Sequence, residues 1–393
     1  MNWSEKFATR AKRMKPSAIR EILKLTQGGQ VISFAGGLPA PQLFPVEELR
    51  RAAETVLTQR GREALQYSTT EGYAPLREWV AARLGAAAAQ VQIVSGSQQA
   101  LDLIAKIFLN PGDAVVVGAP TYMGALRAFD AYEVDYLSVP TDDEGMLPDA
   151  LEAALKTRPK LVYVIPNFDN PTGVTTSLAR RQVLLELARR YEVPVLEDNP
   201  YGELRFEGAE LPHLYTLAPD IVIYAGTFSK IMVPGFRLAW VLAAPEVLTL
   251  LARAKQAADL HTATTTQMIA HEVAQADFLE AQVERTRDFY KTQRDLMLDA
   301  LDVHMPKEVH WTRPAGGMFL WVTLPDGIDA SEMAYEAVRQ GVAYVPGEIF
   351  FTDGRGLNTL RLSYSGASPV EIDEGVRRLG QVFAGRLGRE RVY

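Results

Sequence analysis

Short runs of β-branched and aromatic residues recur through the middle of the chain, at 92–94, 114–117, 161–165, 194–196, 221–224 and 238–242. Several are apolar at every position instead of alternating, the pattern of strands covered on both faces. Stretches with helical patterning lie between them, notably 98–109 and 178–191. Strands alternating with helices predict an α/β fold, with a mostly parallel sheet flanked by helices.

After Pro245 the rhythm changes. A charged, proline-free stretch over 274–301 predicts a long helix. Apolar strand patterns at 318–322 and 359–363 then alternate with helical patterns at 331–340 and 369–387. This mixture predicts a smaller α+β domain. The expected division is an N-terminal arm over 1–45 packing on the small domain, a large domain over 46–290, and a small C-terminal domain over 291–393.

At 393 residues the chain is long enough to bury large cores without disulfides or metal. Its net charge of −7 argues against nucleic acid as a main partner. The exception is local: Lys6, Arg10, Lys12, Arg13, Lys15, Arg20 and Lys24 crowd the first 24 residues against Glu5 and Glu21. No apolar core or cleavage signature follows them, so a charged helical arm and a cytoplasmic location are expected. No run approaches membrane-spanning length. Cysteine is absent, which excludes thiol catalysis and iron–sulfur clusters. The five histidines show no ligand spacing, and no metal site is expected.

Candidate chemistry gathers where the predicted strands end, the edge at which open α/β sheets bind ligands. Lys230 follows the strand at 221–224 in Thr227-Phe228-Ser229-Lys230, with Arg237 soon after. A lysine can form a Schiff base with a carbonyl, and two hydroxyls with an arginine suit a phosphate. A solvated loop lysine is the plain alternative. Gly96-Ser97-Gln98 opens a helix after another strand, so its N–H groups can hold an anion, or Ser97 can simply be an N-cap. Asp198 ends a strand and can hold a protonated ring nitrogen, or it can cap the Asn199-Pro200 turn. Tyr201, Asn170 in Asn170-Pro171-Thr172-Gly173, and Tyr122 after Pro120-Thr121 complete the group, each also explicable as a turn or packed loop residue.

In this order, Asn170-Pro171-Thr172-Gly173, Asp198 with Tyr201, Ser229-Lys230 with Arg237, and Arg361 resemble the aspartate aminotransferase superfamily, class I/II, of pyridoxal phosphate fold type I. Phe34-Ala35-Gly36-Gly37-Leu38-Pro39, Gln66-Tyr67-Ser68 and Gly316-Gly317-Met318-Phe319 narrow the resemblance to the 2-aminoadipate/kynurenine aminotransferase branch, nearest to the bacterial enzymes of lysine biosynthesis.

The resemblance implies a large domain with a seven-stranded sheet, pyridoxal 5'-phosphate as cofactor, and ping-pong transamination between an amino acid and a 2-oxo acid. By the same likeness Lys230 would anchor the cofactor and move the Cα proton, and Asp198 would hold the ring nitrogen. Asn170 and Tyr201 would bind the ring hydroxyl, and Tyr122 would stack on the ring. Ser97, Gln98, Thr227, Ser229 and Arg237 would bind the phosphate. Tyr67 would cross to the second site of a homodimer. Arg361, with Asn170 and Gly37, would bind the substrate carboxylate, and Arg20 with Ser17 would read an acidic side chain. A β-lyase or decarboxylase would share this core, and so would an aminotransferase-like regulator, although the pattern begins near residue 17 and leaves no room for a DNA-binding domain. One departure concerns specificity: Asp169 stands where relatives carry an uncharged amide, and would disfavour acidic substrates if it faced them.

Overall fold

The computed structural model describes residues 1–13, 31–275 and 278–390. Fourteen strands are found among them. The first, β1 (Ile32–Ser33), is followed by β2 (Val91–Val94), β3 (Ala114–Ala119), β4 (Asp135–Asp142), β5 (Gly145–Met146), β6 (Leu161–Val164), β7 (Val195–Asp198), β8 (Val222–Thr227) and β9 (Ala239–Leu242). The last five are β10 (His310–Trp311), β11 (Phe319–Thr323), β12 (Val342–Ala343), β13 (Val345–Pro346) and β14 (Thr359–Ser363).

Strands β2 to β9 form one sheet in the order β2-β9-β8-β7-β6-β3-β4-β5. Its centre is parallel, and β9 runs antiparallel to both β8 and β2. The α/β class with a mostly parallel sheet is therefore as expected. The strand count is eight instead of seven, because the two-residue β5 folds back on β4. Strand β4 lacks an apolar run: its Asp-Tyr-Leu-Ser-Val-Pro-Thr-Asp sequence buries only Val139 fully. Flanked on one side only by this short strand, it keeps the polar residues of a sheet edge.

The central strands explain their own composition. Successive side chains point to opposite faces. Val115, Val117, Leu161, Tyr163, Leu196, Ile223 and Val241 enter one core with Leu101, Ile104 and Phe129 of the helices Ser97–Phe108 and Met123–Asp130. Val116, Val162, Val164, Val195, Val222 and Leu242 enter another with Leu76, Leu184 and Met268. With an apolar core on each side, the strands have no polar face to alternate with.

A second sheet, in the order β10-β11-β14-β13, comes from the C-terminal part of the chain. It packs with the helix Phe278–His304, which realises the expectation for 274–301. A separate helix, Thr264–Gln275, precedes it, and 276–277 lie outside the described residues. Near the N-terminus, β1 pairs in parallel with β12. Phe34 is fully buried, and its carbonyl accepts from the Ser363 N–H at 2.8 Å. The Ala40 N–H donates to the Tyr290 hydroxyl at 3.0 Å. Among the described residues no helix is long and apolar enough to cross a membrane.

Leu196 lies fully buried in the middle of β7. Leu196→Ala should lower stability by about 2–5 kcal/mol, read as a lower urea midpoint.

Candidate active site

The residues singled out from the sequence converge on one edge of the large sheet. Asp198 is the last residue of β7 and Thr227 the last of β8. Lys230 follows β8 in the same loop, Tyr122 and Asn170 lie on the loops after β3 and β6, and Ser97 starts the helix after β2. Arg361 arrives from the other sheet, in the middle of β14. The crevice is thus bounded by strand ends on one side and a strand face on the other.

Arg361 is buried, and its two terminal nitrogens are committed. Nη1 donates to Asn170 Oδ1 at 2.7 Å and Nη2 to the Ala35 carbonyl at 3.0 Å. Its Nε is buried with no partner among the described residues. The guanidinium lies 4.2 Å from the Phe319 ring centre and 5.2 Å from that of Phe350, a stacked setting for a planar cation. Asn170 passes the contact on, its Nδ2 donating to the Tyr201 hydroxyl at 3.3 Å. Tyr201 meets Phe319 edge-on.

Asp198 is 2 % exposed. Its Oδ2 accepts from the Tyr163 hydroxyl at 2.9 Å, whereas its Oδ1 is buried with no partner among the described residues. Burial pushes its carboxyl up to about 7, opposed by the bond from Tyr163. A buried acceptor left open in this way costs free energy unless a donor meets it. Tyr163 was not among the residues expected from the sequence. It looks like any buried strand aromatic, and only the adjacency of β6 and β7 brings its hydroxyl to Asp198.

Lys230 Nζ donates to the Gly37 carbonyl at 3.0 Å and lies 5.9 Å from the Tyr201 ring centre. Burial, then the cations Arg361 and Arg237, bring its ammonium down to about 8. Gly37 lies tight against the Phe319 ring: a Cβ there would stand 3.1 Å from it, and the ring would have to shift to admit one. Tyr122 feels the charges of Asp198, Arg361 and Arg237 together, and burial with the Asp198 charge raises its hydroxyl above the usual range.

At the other end of the crevice, Gly96 has φ +91° and caps the helix Ser97–Phe108. Ser97 is therefore the first helical residue and not the cap. A Cβ on Gly96 would collide with the Arg237 guanidinium, which lies over it. Arg237 is itself left-handed, with φ 52°, and donates to the Pro234 carbonyl at 3.3 Å. The Thr227 hydroxyl is 3.0 Å from Ser229 Oγ and accepts from the Ser229 N–H at 3.1 Å. The Gln98 side chain turns aside to the Gly124 carbonyl at 2.9 Å, leaving its N–H in the first turn. First-turn N–H groups have no partner inside their own helix, so they stand beside a guanidinium and two hydroxyls, an anion-binding set.

Of the expected residues, Tyr67 makes none of these contacts. Tyr67 is 78 % exposed, with its ring edge-on to His261 at 5.8 Å. Arg20 and Ser17 lie outside the described residues. Asp169 is absorbed by its own turn: Oδ2 accepts from Thr172 Oγ1 at 3.0 Å.

The chain was also compared with known proteins. The model of the family "Aminotransferase class I and II" matches residues 31–379. A 2-aminoadipate transaminase of Thermus thermophilus is 49% identical, covering 98% of this chain and 98% of that one. An aromatic-amino-acid aminotransferase of Thermococcus litoralis is 47% identical, covering 98% of this chain and 95% of that one. The crystal structure of LysN, an alpha-aminoadipate aminotransferase from Thermus thermophilus complexed with N-(5'-phosphopyridoxyl)-L-leucine, superposes with a TM-score of 0.94 at 48% identity. It covers 99% of this chain and 100% of that one. With a strand-end crevice of this kind and a family match over most of its length, the chain belongs to the class I and II aminotransferases.

Proposed function

We propose that the protein is a pyridoxal phosphate-dependent aminotransferase. It passes the amino group of an L-amino acid to 2-oxoglutarate by a ping-pong route, with 2-aminoadipate and leucine or aromatic amino acids as donors. The observation that carries this reading is the open Oδ1 of Asp198, buried in the crevice that Lys230 and Arg361 also enter. A protonated ring nitrogen is the donor that such a carboxylate lacks. Gly96, having no Cβ, lets the Arg237 guanidinium lie beside the first turn of its helix, an anion-binding end that suits the phosphate of the same cofactor.

In this reading Ser97, Gln98, Thr227, Ser229 and Arg237 hold the phosphate, and Asp198 holds the ring nitrogen. Asn170 and Tyr201 hold the ring hydroxyl, and Tyr122 covers the ring. When bound, the cofactor supplies a carbonyl for the amino group and a ring that takes up electrons released at the substrate Cα. Lys230 supplies the amine that anchors it and, once displaced by substrate, carries the Cα proton. An ammonium lowered to about 8 gives that amine a far larger neutral fraction near physiological pH than an ordinary lysine has, although the neutral form is still the minority. Arg361, with Asn170 and the Gly37 segment, orients the substrate carboxylate so that the Cα–H bond faces this base.

Tyr67 supports a homodimer. A tyrosine so exposed is available to the phosphate end of the site in a second copy. Arg20 and Ser17 are proposed to read an acidic side chain, as the 2-aminoadipate branch implies, which would place the enzyme in lysine biosynthesis. The bonds from Thr172 give the Asp169 carboxylate a role inside its turn and favour this acceptance of acidic donors.

Lys230→Ala should abolish turnover with every donor, checked by product formation from 2-oxoglutarate and a panel of amino acids. Residual activity near wild type would exclude this mechanism. Borohydride-trapped attachment of the cofactor to the apoenzyme should rise as pH passes about 8, because only the neutral amine attacks a carbonyl. Arg361→Gln should lower kcat/KM about 100-fold, roughly 3 kcal/mol, by removing a paired, charge-assisted contact. Arg20→Ala should lower kcat/KM for 2-aminoadipate relative to leucine, and an unchanged ratio in steady-state kinetics would remove Arg20 from recognition.

A further inference from the structure

Behind the proposed phosphate end lies a cluster that the reaction does not use. Lys255 sits on the helix Pro245–Asp259, its side chain fully buried. Its ammonium makes three bonds: to Asp259 Oδ1 at 2.7 Å, to Asp259 Oδ2 at 2.8 Å and to Gln99 Oε1 at 3.1 Å. Asp259 in turn accepts from Ser95 Oγ at 2.9 Å and from Gln99 Nε2 at 2.7 Å. Gln99 Oε1 closes the ring by accepting the Ser95 N–H at 2.7 Å. Ser95 Oγ also lies 3.1 Å from Thr262 Oγ1, beyond the turn at Leu260, whose φ is +66°.

Every donor of the ammonium is used, and its bonds end on Asp259 and Gln99, which both hold Ser95. Ser95 immediately precedes Gly96 and Ser97, the turn that presents first-turn N–H groups beneath Arg237. That turn has no side-chain cap of its own to fix it. A buried ion pair is a poor means of raising stability, because desolvation offsets its Coulomb energy. A closed set of charge-assisted bonds does restrict where its members can move.

Resting on the aminotransferase reading, we propose that Lys255, Asp259 and Gln99 are positioning residues that fix the Ser95–Ser97 turn for the cofactor's phosphate. They touch neither ring nor substrate. Loosening them weakens discrimination in favour of a phosphorylated cofactor and leaves the chemistry at Lys230 in place.

The test uses the full-length enzyme resolved of cofactor. Rates of borohydride-trapped incorporation at Lys230 are compared for pyridoxal phosphate and for pyridoxal, which lacks the phosphate. In Asp259→Asn the ratio of the two rates should fall about tenfold, with the pyridoxal rate within twofold of wild type. Ser95→Ala, which removes the hydroxyl's bonds to Asp259 and Thr262 without leaving a buried charge unpaired, should lower the ratio about threefold and guards against a variant that fails to fold. An unchanged ratio in both variants, or an equal loss with both compounds, would overturn the positioning role. If the wild-type enzyme incorporates neither compound, the aminotransferase reading fails instead, a result distinct from either outcome.

Discussion

A buried hydrogen bond ties the two halves of the crevice together: Arg361, from the small sheet, donates to Asn170, from a loop of the large one. A buried guanidinium must find acceptors, and Arg361 finds one on each wall, the Asn170 amide and the Ala35 carbonyl. Asn170 and Ala35 are thereby held at fixed separation. Two aromatic rings close over the cation, so its plane is set as well as its place. The amide of Asn170 is polarised in turn, its oxygen taken by a cation and its nitrogen donating to Tyr201. Chains of this sort strengthen each member, since each bond aligns the dipole that makes the next.

Burial then shapes the acid–base character of what the crevice contains. The same removal from water that raises Asp198 toward 7 lowers Lys230 toward 8, because each loses its charged form's solvation. The two shifts have opposite signs on the pH scale and one cause. Arg361 and Arg237 add to the effect at Lys230 through like charge. Tyr163 works against it at Asp198 by donating to the ionised form.

How much of this was visible in the sequence depended on the range of the interaction. The 359–363 strand and the helices near 98–109 and 178–191 are local patterns, and β14, Ser97–Phe108 and Leu178–Arg190 lie where those patterns place them. Edge strand β4 was invisible because its polar residues break the apolar run that marks the others. Strand-end chemistry at Asp198, Thr227 and Lys230 was legible because motif and strand end coincide. The cap at Gly96 was not, since the choice between glycine and Ser97 is made by a guanidinium 140 residues downstream, roughly, that no local rule can see. Tyr163 and the Lys255 cluster are of the same kind, ordinary side chains given meaning by neighbouring strands and helices.

The two-faced strands of the large sheet carry a further implication. Where one face is polar, slipping a strand by one residue exposes its apolar side chains, and hydrophobicity alone forbids the error. In β6, β7 and β8 both faces are apolar, so a slipped strand would bury nearly as much oil. The penalty must come from the few polar teeth. Glu197 meets the Tyr215 N–H on one face, and Asp198 meets the Tyr163 hydroxyl on the other. A slip would send each carboxylate into the opposite apolar layer without a donor. The groups placed at the strand end for chemistry therefore also index the strand, and the alignment of the sheet is enforced from the edge where it works.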